Sequence, residues 1–224
     1  MDVLLLTAGL FLGTHLGVSS TPLRGFLIKA MGERAYVGLY SIVAIVTLVL
    51  FVRAYIHTPH TAFIWLPNMA LHAFTKAIVP LGFILLVAGL MAKNPTAVMS
   101  DEAVQAPLAG ILKITRHPVQ WAILLWAVGH LVSNGDMASI TFFGTFALLS
   151  AVGMAGMDAR RRFRDEPAWR DFYATTSAIP FAALVRGKTS LALQEINWLA
   201  VAIGMVLATL AYYYHQAFTG VKLY

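Results

Sequence analysis

The stretch Ile114-Thr-Arg-His-Pro-Val-Gln-Trp-Ala-Ile-Leu-Leu-Trp-Ala-Val-Gly-His-Leu-Val-Ser-Asn-Gly-Asp136 decides the fold. Between Arg116 and Asp136 stand 19 residues without a formal charge. A proline opens the apolar run, where a helix tolerates it because the missing N–H is unpaired there anyway. Asn134-Gly135-Asp136 closes the run as a tight turn, since Asn and Gly tolerate positive φ. An α-helix needs about 20 apolar residues to cross the hydrocarbon of a bilayer. The segment therefore reads as a membrane span with polar ends.

The same pattern recurs along the chain. Uncharged windows of 21, 18, 16, 21 and 26 residues lie at Asp2–Arg24, Arg34–Arg53, Lys76–Lys93, Asp136–Asp158 and Glu195–Lys222. Six transmembrane helices follow, near 3–20, 35–55, 75–92, 118–133, 138–157 and 197–217, in one all-α membrane domain covering 1–224. The stretch 54–75 also lacks Asp, Glu and Lys, but His57, Pro59, His60, Pro67, Asn68 and His72 suit a surface or re-entrant loop. The first helix lacks the basic leader and cleavage site of a signal peptide, so it is expected to stay in the mature protein.

Composition agrees. The 224 residues are 59% hydrophobic and 12% charged, against about a quarter charged in soluble domains. Mean hydropathy is +0.74. Sixteen Lys and Arg, although in excess by six, are too few for a nucleic-acid groove. Their placement explains them better. The connections 19–34, 92–117 and 158–196 hold 3, 3 and 7 of them, leaving only Arg53, Lys76 and Lys222 on the other side. That bias puts the first set of connections in the cytoplasm and both termini in the periplasm of a bacterial inner membrane. The piece 158–196 mixes Trp169, Phe172, Tyr173 and Phe181 with basic residues, as an interfacial segment in the headgroup region would. Zero Cys excludes disulfides, thiolate metal sites and iron–sulfur clusters.

Imidazole is the metal ligand this composition offers. Of seven His, those at 57, 60, 72 and 215 fall at the outer surface, while His15, His117 and His130 lie in or at predicted spans, where an ionisable group needs a partner or a job. Two imidazoles from different helices could clasp a buried haem; alternatively each hydrogen-bonds a neighbouring helix. His117 and His130 are 13 residues apart, about 20 Å along one helix, so they cannot ligate one iron together. Depth in the bilayer favours His117 as the partner of His15.

The order of these residues resembles the NnrU family. Ile114-Thr115-Arg116-His117-Pro118, Trp121, Leu125-Trp126-Ala127, His130-Leu131 and Asn134-Gly135-Asp136 carry the likeness, with Phe11-Leu-Gly-Thr-His15, Gly38-Leu39-Tyr40-Ser41 and Trp169, Phe172, Thr176-Ser177, Ile179-Pro180-Phe181. The resemblance implies an integral membrane protein associated with nitrogen-oxide metabolism. It extends to plant 15-cis-ζ-carotene isomerase, a haem b membrane enzyme. By that likeness His15 and His130 would be the axial ligands and His117 a further functional, catalytic residue, in place of the His15–His117 pairing that depth prefers. Leu16 departs from the Ser that often follows the first His. On the haem reading Arg116 would suit a propionate and Trp121 and Trp126 would line the pocket. A polyene or nitric oxide would be the ligand, membrane lipid the surroundings, and an oligomer is compatible.

Two other readings stay open. Arg116-His117-Pro118, Glu166, Phe172-Tyr173 and Ile179-Pro180 are similar to membrane isoprenylcysteine methyltransferases, which use S-adenosylmethionine, although the aromatic-x-Gly that follows there is replaced by Val119-Gln120-Trp121-Ala122. A non-enzymatic scaffold or assembly factor would need its His only for helix packing. No phosphate loop, paired catalytic carboxylates or hydrolase triad order is present.

Overall fold

The computed structural model describes residues 1–18, 21–97, 100–162 and 166–221. The regular elements among these are all helices. The main elements are α1 (Asp2–Leu12), α2 (Pro22–Met31), α3 (Glu33–His57), α4 (Met69–Met91), α5 (Ile111–Ile114), α6 (Pro118–Ser133) and α7 (Met137–Arg161). They are followed by α8 (Pro167–Thr175), α9 (Ala182–Val185), α10 (Trp198–Tyr213) and α11 (His215–Thr219). The only strand-like pairing among the described residues is an antiparallel bridge between Phe63 and Asp136.

Each of the six expected windows centres on helix, with residues 19 and 20 of the first lying outside the described residues. α3, α4 and α7 are long and apolar enough to cross a membrane, and α1 with its continuation passes that test only when joined to α2. α6 and α10 are apolar but span 16 residues each, so they come up short by about one turn. The loop between α3 and α4 is shorter than its composition suggests, because α3 continues to His57 and α4 already begins at Met69. Helix ends follow local rules. Asn197 caps α10 by accepting from Ala200 N–H at 3.0 Å, and Thr21 accepts from Leu23 N–H ahead of Pro22.

The residues group into two compact units, Met1–Thr75 with Ala127–Gly156 and Lys76–Trp126 with Met157–Tyr224. The first unit is centred on stacked rings. Phe51 meets Phe11, Phe142 and Phe146, and Tyr55 stacks on Phe142 at 4.2 Å. Its turn at 134–136 is built for close approach. A Cβ on Gly135 would lie 1.8 Å from the Trp65 carbonyl oxygen. Glycine is thus required there by contact, while its φ is not positive, contrary to the sequence-based expectation. Asp136 caps α7 by accepting from Ser139 N–H at 2.9 Å and from His60 Nδ1–H at 2.8 Å, so His60 has a specific partner and is not merely solvated.

In the second unit small residues bring helices together. A Cβ at Gly89 of α4 would meet Pro118 at 2.8 Å, and one at Gly204 of α10 would meet Ile84 Cα at 2.7 Å. The interfacial segment expected at 158–196, of which 163–165 lie outside the described residues, is built around protein contacts. Asp158 is still in α7, and on α8 Trp169 and Phe172 are 1% and 7% exposed. Those rings pack into protein, while Phe181 stays exposed.

Candidate functional site

Two short sequence motifs far apart in the chain clasp each other in the second unit. Arg116 N–H donates to Ser177 O at 3.0 Å and Phe181 N–H to Ile114 O at 2.9 Å. Thr115 Oγ1 and Trp121 Nε1 both donate to Ala178 O, at 2.9 and 2.7 Å. Phe181 follows Pro180 in the left-handed region at φ 63, and its bond to Ile114 holds it there. Pro118 starts α6 and disfavours a helical conformation at His117 before it, while Thr115, at the end of α5, is extended, so this short stretch is free to pair outward. The clasp thus fixes Arg116 and His117 at the mouth of α6.

Both side chains turn to one carboxylate. His117, fully buried, donates Nε2–H to Asp158 Oδ1 at 2.7 Å. Arg116 lies 3.3 Å from Asp158 Oδ2, donates to Thr176 O at 3.1 Å and faces the Tyr173 ring at 4.5 Å. The Tyr173 hydroxyl donates to Asp158 Oδ1 at 3.2 Å. Burial, then the negative Asp158, pushes the Tyr173 phenol up to about 12, so it stays a donor at neutral pH. In the tautomer that donates Nε2–H to the carboxylate, an uncharged His117 ring has its lone pair on Nδ1. His117 Nδ1 and Arg116 Nε are buried with no hydrogen-bond partner among the described residues. A carboxylate-oriented imidazole with a lone pair on its second nitrogen is the arrangement of a general base.

Sequence reasoning singled out Arg116 and His117 and named Tyr173 as an interfacial aromatic and in the methyltransferase likeness, but passed over Asp158. Asp158 read as the first residue of a loop. One signal was available: a lone acid ending a 25-residue apolar helix needs a partner. The guanidinium of Arg116, expected to face a propionate, is occupied by Asp158 and Thr176 O. Trp121 is held by Ala178 O, and Trp126 lies where α6 passes Gly82 of α4.

The other candidates lie in the first unit. His15 sits in a π-helical turn, Gly13–Val18, continuing α1. Single π-turns of this kind concentrate at functional positions. Its Nδ1–H donates to Phe11 O at 2.8 Å, and its ring touches Phe11 and Tyr40. His130 stacks on Phe143 at 4.9 Å. Ring contacts run from Phe11 through Phe146 and Phe142 to Phe143, linking the neighbourhoods of the two imidazoles. The donor chemistry fits an iron: a ligating His commonly gives its other N–H to a backbone carbonyl, as His15 does, which leaves the lone pair on Nε2. Among the described residues no cluster of three or more His, Asp or Glu could hold a metal ion.

The family model described as NnrU protein matches residues 3–223. The chain belongs to the NnrU family. The match takes in both units of this NnrU protein, and with them His15, His130 and the Arg116–His117–Asp158 group. No curated protein matches the chain. No solved structure matches it either.

Proposed function

We propose that this NnrU protein binds haem b in the membrane, with His15 and His130 as the iron's ligands. The observation that carries the reading is the Nδ1–H bond from His15 to Phe11 O within the π-turn, which sets the tautomer a ligand needs. Phe11, Tyr40 and Phe143 give both imidazoles an apolar aromatic surround suited to a flat macrocycle. Bound haem would supply exchangeable iron coordination and one-electron chemistry, serving nitrogen-oxide metabolism or cis–trans isomerisation of a polyene. The chain's own residues orient the imidazoles, exclude water and, at His117 Nδ1, accept a proton while Asp158 holds the resulting charge.

The test is pyridine haemochrome analysis of the purified wild type beside His15→Ala, His130→Ala and His117→Ala. Wild type carries haem, the first two variants lose it or change its spectrum, and the third keeps it. No Soret band after expression with haem supplied overturns the reading. An unchanged spectrum with lowered stability in the first two variants returns the histidines to helix packing, as for a scaffold. Saturable S-adenosylmethionine binding, lost in Arg116→Ala or Glu166→Ala, would mark a methyltransferase instead.

A further inference from the structure

The second unit holds a cavity of about 480 Å³ between the end of α4, the residues before and within α5, and the start of α10. Such a volume lies in the range that takes one small organic ligand, about 300–1,000 Å³. Its lining is segregated. Ile84 and Ala88 stand within α4 and Val201 within α10, while Lys93 and Glu195 lie just beyond the helix ends. Ile84 is nine residues before Lys93 and seven before the end of α4, so the lining passes from aliphatic to charged over about 10 Å of helical rise and the two residues beyond it. Of the lining residues only Lys93, Glu195 and Asn197 bear a charged or amide side chain.

The charges do not balance. Glu195 is neutralised by Lys113, whose Nζ reaches Oε1 at 2.8 Å and Oε2 at 2.6 Å. The hydrogen bond from Lys113 to Oε1 holds the Glu195 carboxyl below the usual carboxylate range, so the two charges cancel at neutral pH, although Oε2 accepts no hydrogen bond among the described residues. Lys93 is exposed, and no carboxylate among the described residues pairs with it. The rim therefore carries one uncompensated positive charge beside an aliphatic hollow. Trp198, 59% exposed at the first residue of α10, marks this level as a membrane–water boundary, where amphipathic rings settle.

We propose that this cavity binds a single-chain amphiphile with an anionic head, its chain against Ile84, Ala88 and Val201 and its head at Lys93. The volume suits one chain, the sequence of lining residues matches an apolar tail followed by a charge, and Lys93 supplies the complement to an anion. The site is separate from the haem reading and stands without it.

The full chain, in nanodiscs of phosphatidylcholine, is titrated with 9,10-dibromostearate while tryptophan fluorescence is followed. Bromine quenches at short range, and Trp198 on the cavity wall is the reporter. Saturable quenching is expected in wild type and is reduced in Trp198→Phe. Lys93→Gln weakens binding about three- to fivefold, as befits one exposed charge. The uncharged methyl ester binds wild type weaker by a similar factor and is indifferent to Lys93→Gln. Two separate filling variants, Ala106→Phe and Ala109→Phe, abolish the saturable phase. Because Lys93 is on the surface, its variant keeps the fold even if a filling variant does not. Quenching that rises linearly and equally in all variants, as partition into the bilayer alone would give, overturns the proposal. So does saturable binding that treats acid and ester alike.

Discussion

His117 and Asp158 stand 41 residues apart in the chain, yet their side chains meet at 2.7 Å and join the mouth of α6 to the end of α7. The carboxylate serves three donors at once, since Arg116 and Tyr173 also reach it. Asp158→Ala would leave the nearly buried Arg116 without its counter-charge. Removing one partner of a buried charged pair costs about 3–5 kcal/mol, and the part-exposed carboxylate lowers this to about 2–3 kcal/mol. Thermal unfolding in detergent should register the loss. An unchanged transition would mean that the three donors find water instead.

Tyr173 should be the late-titrating phenol. Its proton is held to about 12, above the ordinary value, so between pH ~10 and 12 the folded state binds a proton that the unfolded state has lost. That contribution to stability is complete below pH ~10 and disappears as pH rises through 12. The difference in tyrosinate absorbance between wild type and Tyr173→Phe should show one phenol ionising near the upper value. A difference curve centred near 10 would contradict the Asp158 contact.

Acid should loosen the turn before α7. Burial alone would raise the Asp136 carboxyl, but the Ser139 and His60 hydrogen bonds and the His60 charge outweigh it and hold it below the usual range. The unfolded state then binds the proton first as pH falls. Stability from this residue is present above about pH 4 and is lost as pH drops through the depressed value. Asp136→Asn should flatten the acid limb of a stability profile below about pH 4. A parallel profile in the variant would exclude the assignment.

Gly135→Ala should be disruptive although it adds one methyl group. The Cβ would sit 1.8 Å from the Trp65 carbonyl oxygen, a backbone atom fixed by neighbouring bonds from Ile64 N–H to Gly135 O and from Trp65 Nε1 to Val132 O. Overpacking of this kind costs about 1–3 kcal/mol, and the upper end applies where backbone must move. A melting temperature within a degree of wild type would show that the loop yields freely.

Much of the architecture was legible because lipid imposes one rule: long uncharged runs bounded by charge become helices. Pro118 and Asn134-Gly135-Asp136 mark the ends of α6 from local chemistry alone. What stayed hidden was tertiary. The aromatics of α8 suggest a headgroup anchor, and composition does not reveal that Trp169 and Phe172 are themselves buried against protein. Gly135 reads as a turn residue in either case, while its true constraint comes from Trp65, seventy residues earlier. Arg116 and His117 were visible as costly residues in an apolar context. Their partner Asp158 was not, because a pairing across 41 residues leaves no periodic trace.

The clasp between Ile114–Arg116 and Ser177–Phe181 also constrains biogenesis. Thr115 bonds a carbonyl 63 positions downstream, so α6 leaves the ribosome well before the strand of chain that completes its entrance. During that interval Arg116 and His117 must be hydrated or chaperoned at the bilayer surface. Final docking of the carboxyl-terminal third therefore doubles as a checkpoint: a nascent chain stopped ahead of residue 176 inserts its early spans but cannot dehydrate that basic pair.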